Sequence, residues 1–277
     1  MTVNSNEAFK YKSVFYNQEN DVYPPLFYCV LHTVCSVNQG VFSKWLGLGI
    51  NLLFYGITLF LIWRITSLYI LDERLAILPM IIYGISAGAV STVVYIRMYM
   101  MLTMLCTLDI YLHCLLFHCV DKITFLKKIA ILCTVTVLGV LTHYYYTVVA
   151  FLSSFFYCII IFVNNKEQNR KKLFIYATAR VLSVLLAVLV FPAAIKQTTS
   201  GSRGVFQIAN ILGRLSNLED FRTYCGYYLS TITEQIFGYW GDALLIGIIV
   251  IVCIKNNLFL RNSYVYLLGI VSTYMLF

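Results

Sequence analysis

Apolar residues run together over about 45–63, 76–94, 99–118, 129–142, 145–163, 174–194, 243–254 and 264–277, and short polar segments separate these runs. A helix needs about 20 mainly apolar residues to cross the hydrocarbon layer of a bilayer. The pattern therefore predicts an all-α fold, a polytopic transmembrane helix bundle of about seven or eight membrane segments. Two runs, 129–142 and 243–254, are short for a crossing, so they are expected to tilt, to extend into their flanks or to pack partly against protein. Lys196 to Gly204 is rich in Thr, Ser and Gly and reads as a mobile loop. From Phe221 to Trp240 the residues Phe221, Tyr224, Tyr228, Ile232, Ile236 and Tyr239 recur every three or four positions, which predicts an amphipathic helix lying at the membrane surface. The chain thus divides into a loop remnant and a helix opened by two prolines (1–44), a transmembrane core (45–195), a loop with the amphipathic helix (196–242) and terminal membrane segments (243–277).

Composition and charge narrow the class. Hydrophobic residues make up 60% of the chain and charged residues 12%, where soluble domains carry about 25% charged residues. Of nine cysteines, Cys106, Cys114, Cys133, Cys158 and Cys253 fall inside apolar runs, and none of the nine forms a CxxC pair, so neither a disulfide framework nor a thiolate zinc site is expected. The net charge of +8 follows topology rather than nucleic acid. With alternate connections cytoplasmic, that side receives eleven of the 20 Lys and Arg residues, including Arg64, Arg74, Lys122, Lys127, Lys128, Arg170, Lys171 and Lys172, against four acids. Met1 to Asn20 lacks the basic and apolar regions of a signal peptide. The last run stops after 14 residues, so the chain is expected to be cut, at both ends.

This topology places four polar islands on the extracytoplasmic side: residues 1–28, Tyr95 to Tyr99, Thr142 to Tyr146 and Lys196 to Asp242. Asp21 precedes Pro24-Pro25, which are expected to fix extended backbone before a helix starting near Leu26, and its carboxylate reads either as a held reactive group or as a simple cap. Arg97, between Tyr95 and Tyr99, reads as a phosphate ligand or as an Arg snorkelling among aromatics. His143, ahead of three tyrosines, reads as a sugar or proton ligand or as a structural hydrogen-bonder. Inside the apolar runs, Asp109 and His113 lie four apart on one helical face and Arg180 lies in another run. Because charge in the hydrocarbon layer is costly unless paired, Asp109 and Arg180 are expected to approach each other, as a structural pair or as a relay. Ser200 to Gly204 offers flexible backbone with one cation, Arg203, for a lipid phosphate. The motifs GxSxG, HExxH, DxD and GxxxxGK[ST] are absent.

Three stretches in order, Asp21-Val22-Tyr23-Pro24-Pro25-Leu26-Phe27-Tyr28, Ser91 through Tyr99, and Gly139-Val140-Leu141-Thr142-His143-Tyr144-Tyr145, resemble polyprenyl-phosphate-dependent glycosyltransferases of the glycosyltransferase-C fold, the family of protein O-mannosyltransferases and lipid A aminoarabinose transferases. Phe42 to Trp45, Phe191 to Ala194 and Ser200 to Gly204 are also similar, so the likeness spans residues 17 to about 210. The resemblance implies a multi-pass protein of a bacterial cytoplasmic membrane, which moves a sugar from a polyprenyl-phosphate carrier to an extracytoplasmic glycan, lipid or protein with inversion at the anomeric carbon. It implies Arg97 and Arg203 as ligands of the donor phosphate, and Tyr23, Tyr95, Tyr99, His143 and Tyr144 as substrate-binding residues. A divalent metal is a candidate cofactor. The family's general base is an acidic residue in the first outer loop, usually in an Asp-Glu pair after a first transmembrane helix. Neither helix nor pair stands here, so either the start of the protein has been lost with the base, the favoured expectation, which would leave this fragment inactive, or the base is Asp21 itself. Tyr23 stands where relatives more often carry His. The competing readings are a transporter or flippase, and a degenerate scaffold.

Overall fold

The computed structural model describes residues 2–70, 72–119, 121–163 and 167–199, together with Arg222, Thr223, Gly226, Tyr227, Ser230, Thr231 and Glu234. Ten helices follow one another: α1 (Lys12–Glu19), α2 (Leu26–Val37), α3 (Lys44–Ser67), α4 (Glu73–Ile85), α5 (Ala87–Val94), α6 (Tyr99–Phe117), α7 (Lys122–Thr142), α8 (Tyr145–Val163), α9 (Glu167–Val190) and α10 (Ala193–Thr199). Among the described residues there is no strand. The fold is an all-helical, multi-pass membrane bundle. Five helices, α3, α6, α7, α8 and the Arg170–Val190 part of α9, are long and apolar enough to cross a membrane, and α4 with α5 makes a sixth crossing if counted as one bent span. The other two apolar runs, 243–254 and 264–277, lie outside the described residues.

Two runs differ from their expected form for local reasons. The run 76–94 is not one straight helix but bends by 55° between α4 and α5. Ser86 is the cause: its backbone is extended (φ −66°, ψ 142°) and its hydroxyl accepts from the Ala89 N–H at 3.2 Å, starting a new helix where the first one stops. The short run 129–142 belongs to a helix that begins at Lys122, because Asp121 caps it by accepting from the Thr124 N–H at 2.8 Å. Lys128 is tolerated within it by donating to the Leu115 carbonyl at 2.9 Å.

The central helix is α6. Within its best span 56% of residues are buried, against 22% to 39% in the others. It packs on α3, α7 and α8, while α9 packs on α7 and α8. The outer surfaces of α3, α8 and α9 are apolar, with Leu53, Phe60, Phe151, Phe155, Leu182 and Leu189 exposed, as surfaces in contact with lipid must be. The short helices gather at one end of the bundle. There α2 lies against α3 and α7, and α1 is tied to the α9–α10 junction by an edge-on contact of Phe15 with Phe191 at 6.2 Å.

The Pro-Pro segment departs from expectation. Pro25 has helical backbone (φ −83°, ψ −16°) and directly starts α2 instead of holding an extended lead-in. Asp21 does not cap this helix either. Its carboxylate accepts from the adjacent Val22 N–H at 2.7 Å, which leaves it exposed. Of the stretch Phe221 to Trp240, the described Arg222, Thr223, Gly226, Tyr227, Ser230, Thr231 and Glu234 are helical, and its predicted aromatic face lies outside the described residues.

Candidate functional site

Two polar centres stand out, one inside the bundle and one at the end carrying Arg97 and His143. The inner centre is built on Asp109 of α6, which is fully buried, as is His113, while Arg180 of α9 is 6% exposed. Arg180 Nη1 donates to Asp109 Oδ1 at 2.8 Å and to Thr136, Nε donates to Ser154 Oγ at 3.0 Å, and Nη2 donates to the Ala150 carbonyl at 3.1 Å. Asp109 also accepts from Tyr146 Oη at 2.8 Å and from Ser153 Oγ at 2.9 Å. His113 Nδ1 faces two acceptors, the Asp109 carbonyl at 2.8 Å and Oδ2 at 3.2 Å, so that nitrogen holds the proton and Nε2 meets the Tyr176 hydroxyl at 2.7 Å. Each nitrogen of the guanidinium and each oxygen of the carboxylate thus has a protein partner. A groove of about 400 Å³ between α8 and α9, walled by Phe151, Val181, Val184 and Leu185, reaches this centre at Ser154, Tyr176 and Arg180.

The second centre is assembled from three segments distant in sequence. The α5–α6 turn carries Arg97, whose N–H donates to the Tyr95 carbonyl at 2.7 Å and whose guanidinium lies 5.7 Å from the Tyr95 ring centroid. On its other side the guanidinium faces the Tyr28 hydroxyl of α2. Burial raises the Tyr28 pKa above the ordinary phenol value, Arg97 opposes that rise and the nearby Asp21 charge adds to it. The phenol is therefore a neutral donor at physiological pH. Asp21 stands at the exposed edge of the same cluster.

The α7–α8 turn carries His143. Its ring is 7% exposed and is enclosed by Tyr23 at 5.5 Å, Tyr99 at 5.9 Å and Tyr145 at 4.9 Å between centroids. Tyr23 and Tyr99 are hydrogen-bonded to each other. Burial pushes the His143 pKa down to about 4, so the imidazole is neutral. Its Nδ1 accepts from the Tyr145 N–H at 3.1 Å. The single ring proton then sits on Nε2, which has no hydrogen-bond partner among the described residues. His143 is in this form a fixed donor and not a base.

The structure brings Tyr23, Tyr95, Arg97, Tyr99 and His143 to one end of the bundle, with Asp21 joined through Tyr28. Tyr144 is close by but its hydroxyl donates to Gln197 Oε1, and Gln197 Nε2 donates to the Gln18 carbonyl at 2.8 Å, so this tyrosine ties α10 to α1. Arg203 lies outside the described residues. Sequence reasoning passed over Tyr28, although it ends the quoted Pro-Pro motif, and Gln197, because the stretch from Lys196 reads as a mobile loop whereas Lys196 to Thr199 form the end of α10. Asn51 was also passed over, although an amide in an apolar run is itself a signal of a built contact. No cluster of three or more His, Cys, Asp or Glu able to hold a metal ion occurs among the described residues. Comparison with known proteins finds no protein-family model, no curated protein and no solved structure that matches this chain.

Proposed function

We propose that the Arg97 end binds the phosphate of a membrane lipid, and that the protein is a glycosyltransferase moving a sugar from a polyprenyl-phosphate carrier to an extracytoplasmic acceptor. The observation that carries the binding step is a run of tyrosines, Tyr95 and Tyr99, that links Arg97, with Tyr28 beside its guanidinium, to His143. The Arg97 guanidinium, the Tyr28 hydroxyl and the His143 ring N–H are all donors, and donors gathered at one end of a membrane bundle suit a group rich in oxygen acceptors. The direction of the site is supported by the basic residues Arg64, Lys122, Lys128 and Lys172 at the opposite ends of the spans. Sugar transfer is supported only by the motif resemblance.

In the proposed reaction the acceptor oxygen bonds to the anomeric carbon as the bond from that carbon to the phosphate oxygen breaks. Asp21 takes the acceptor's proton. Polyprenyl phosphate leaves with the electron pair, and Arg97 meets the growing negative charge. Asp21 suits the base role by being an exposed carboxylate beside the cluster that accepts from one backbone N–H among the described residues.

The test is the full chain in lipid nanodiscs, titrated with polyprenyl monophosphate, and then incubated with polyprenyl-phosphate sugars while released carrier is measured. Saturable binding that falls on Arg97→Ala supports the reading. Binding indifferent to Arg97→Ala contradicts it, and binding without carrier release on any donor leaves lipid-phosphate recognition but removes the transferase.

A further inference from the structure

The turns carrying Arg97 and His143 are each held by a buried polar side chain and a glycine, which for the first turn come from α3 and for the second from α8 and α7, the helices that the turn joins. At the first turn, Asn51 of α3 is fully buried and its Nδ2 donates to the carbonyls of Val93 at 3.0 Å and Tyr95 at 3.1 Å. These are among the carbonyls left open where α5 stops. One turn along α3, Gly47 lets Ile96 approach so closely that an added Cβ would lie 2.5 Å from Ile96 Cγ2. At the second turn, Tyr146 is fully buried, its N–H donates to the His143 carbonyl at 3.0 Å and its hydroxyl donates to Asp109 at 2.8 Å. Its ring lies so close over Gly139 that a Cβ there would overlap it.

We infer that Asn51 and Tyr146, each paired with a glycine, are positioning residues that fix the spacing between the Arg97 guanidinium and the His143 imidazole. Neither touches the ligand. Asn51 acts through the Tyr95 carbonyl, which also accepts the Arg97 N–H at 2.7 Å, so displacement of Tyr95 passes to Arg97 across a single hydrogen bond. Tyr146 acts on His143 by anchoring the start of α8, through its hydroxyl on Asp109 and its ring against Gly139, and the backbone bond to the His143 carbonyl passes that placement on. With both turns fixed, the site accepts an oxygen-bearing head of one size. The inference rests on the lipid-phosphate reading of this end of the bundle.

The test uses the full chain in nanodiscs, titrated with polyprenyl monophosphate and, in a second arm, with inorganic phosphate, with the unfolding midpoint recorded for every variant. Asn51→Leu keeps side-chain volume and removes the two donated bonds together with Asn51 Oδ1, a buried acceptor that has no partner among the described residues. It is expected to weaken lipid-phosphate binding by about tenfold, and Gly139→Ala by at least as much. Tyr146→Phe, which keeps the ring over Gly139, is expected to weaken it less. The decisive readout is the double variant Asn51→Leu/Arg97→Ala: if Asn51 works through Arg97, Asn51→Leu has no further effect once Arg97 is gone. Equal loss in both backgrounds, or no loss in either, overturns the positioning role. Both phosphate arms should weaken by the same factor, and a loss confined to the lipid arm would also overturn it. Should Asn51→Leu not fold, Gly47→Ala displaces the same turn through Ile96 and faces the same double-variant criterion. If Arg97→Ala alone leaves binding unchanged, it is the lipid-phosphate reading that has failed.

Discussion

The two polar centres of this bundle contain similar residues in opposite states of completion. Around Asp109 and Arg180, carboxylate and guanidinium are closed by bonds from Tyr146, Ser153, Ser154, Thr136 and the Ala150 carbonyl. At the other end Arg97 rests on a tyrosine ring and a tyrosine hydroxyl, and the His143 Nε2–H meets no described acceptor. A charge inside the membrane is often read as functional by default. The contrast is one of donors left over: in the inner centre the bonds of both charged groups end on protein, while at the Arg97 end they do not all do so among the described residues.

The strongest way to break this comparison is to unpair the inner centre. Asp109→Leu leaves the Arg180 guanidinium buried without its counter-charge, which should destabilise the fold by about 3–5 kcal/mol. The variant is expected to elute aggregated from a sizing column. Asp109→Leu/Arg180→Leu removes both charges and should recover most of the lost stability, because apolar replacement of a buried pair is often close to neutral. Recovery with ligand binding no weaker than that of Tyr146→Phe, which loses the same bond to Asp109, would sharpen the assignment of this pair to architecture.

Next in size is Arg97→Ala, expected to lower lipid-phosphate affinity by about 10- to 100-fold, the range for losing a hydrogen bond to a charged group. Its unfolding midpoint should stay close to that of the parent. Smaller still is Tyr144→Phe, which frees Gln197 from one partner and should cost about 1 kcal/mol in thermal unfolding, with protease sensitivity rising first near α10. If Tyr144→Phe instead weakened ligand binding with no change in stability, Tyr144 would belong with the substrate residues.

A further prediction concerns pH. The His143 pKa is lowered in the folded protein to about 4 from a reference value of 6.5. Between those two values the unfolded chain binds the proton and the folded one does not, so stability must fall as pH drops through that window. Above pH 6.5 this contribution is complete. The unfolding midpoint of the parent should decline from pH 6.5 towards 4 more steeply than that of His143→Gln, and equal slopes would show that His143 is not held neutral.

Much of this was legible in the sequence, and the pattern of what was not is instructive. The runs that became α3, α6, α7, α8 and α9 announce themselves through length and apolarity, signals that need no partner. Asp109, His113 and Arg180 stand out because they are ionisable within such runs. What surrounds them was not legible, since Tyr146, Ser153 and Tyr176 are ordinary residues whose roles exist only once α6, α8 and α9 are side by side. The break at Ser86 was hidden for a related reason: a serine in an apolar run can bond back to its own helix or cap a new one, and only packing decides. Pro25 was misjudged because a proline suits the first turn of a helix as well as extended chain. The Arg97 turn was visible as a polar island, yet the Asn51 amide that holds it comes from 42 residues away, a contact that no local pattern encodes.

The account stands most directly on one side-by-side titration of polyprenyl monophosphate into nanodiscs carrying the parent, Arg97→Ala and Asp109→Leu/Arg180→Leu. It predicts that Arg97→Ala stays folded and loses affinity by at least about tenfold, while the double variant, once folded, loses no more than Tyr146→Phe does, since both remove the bond between the Tyr146 hydroxyl and Asp109. Full binding by Arg97→Ala together with loss in the double variant would contradict it, and would move the ligand from the membrane surface to the interior of the bundle.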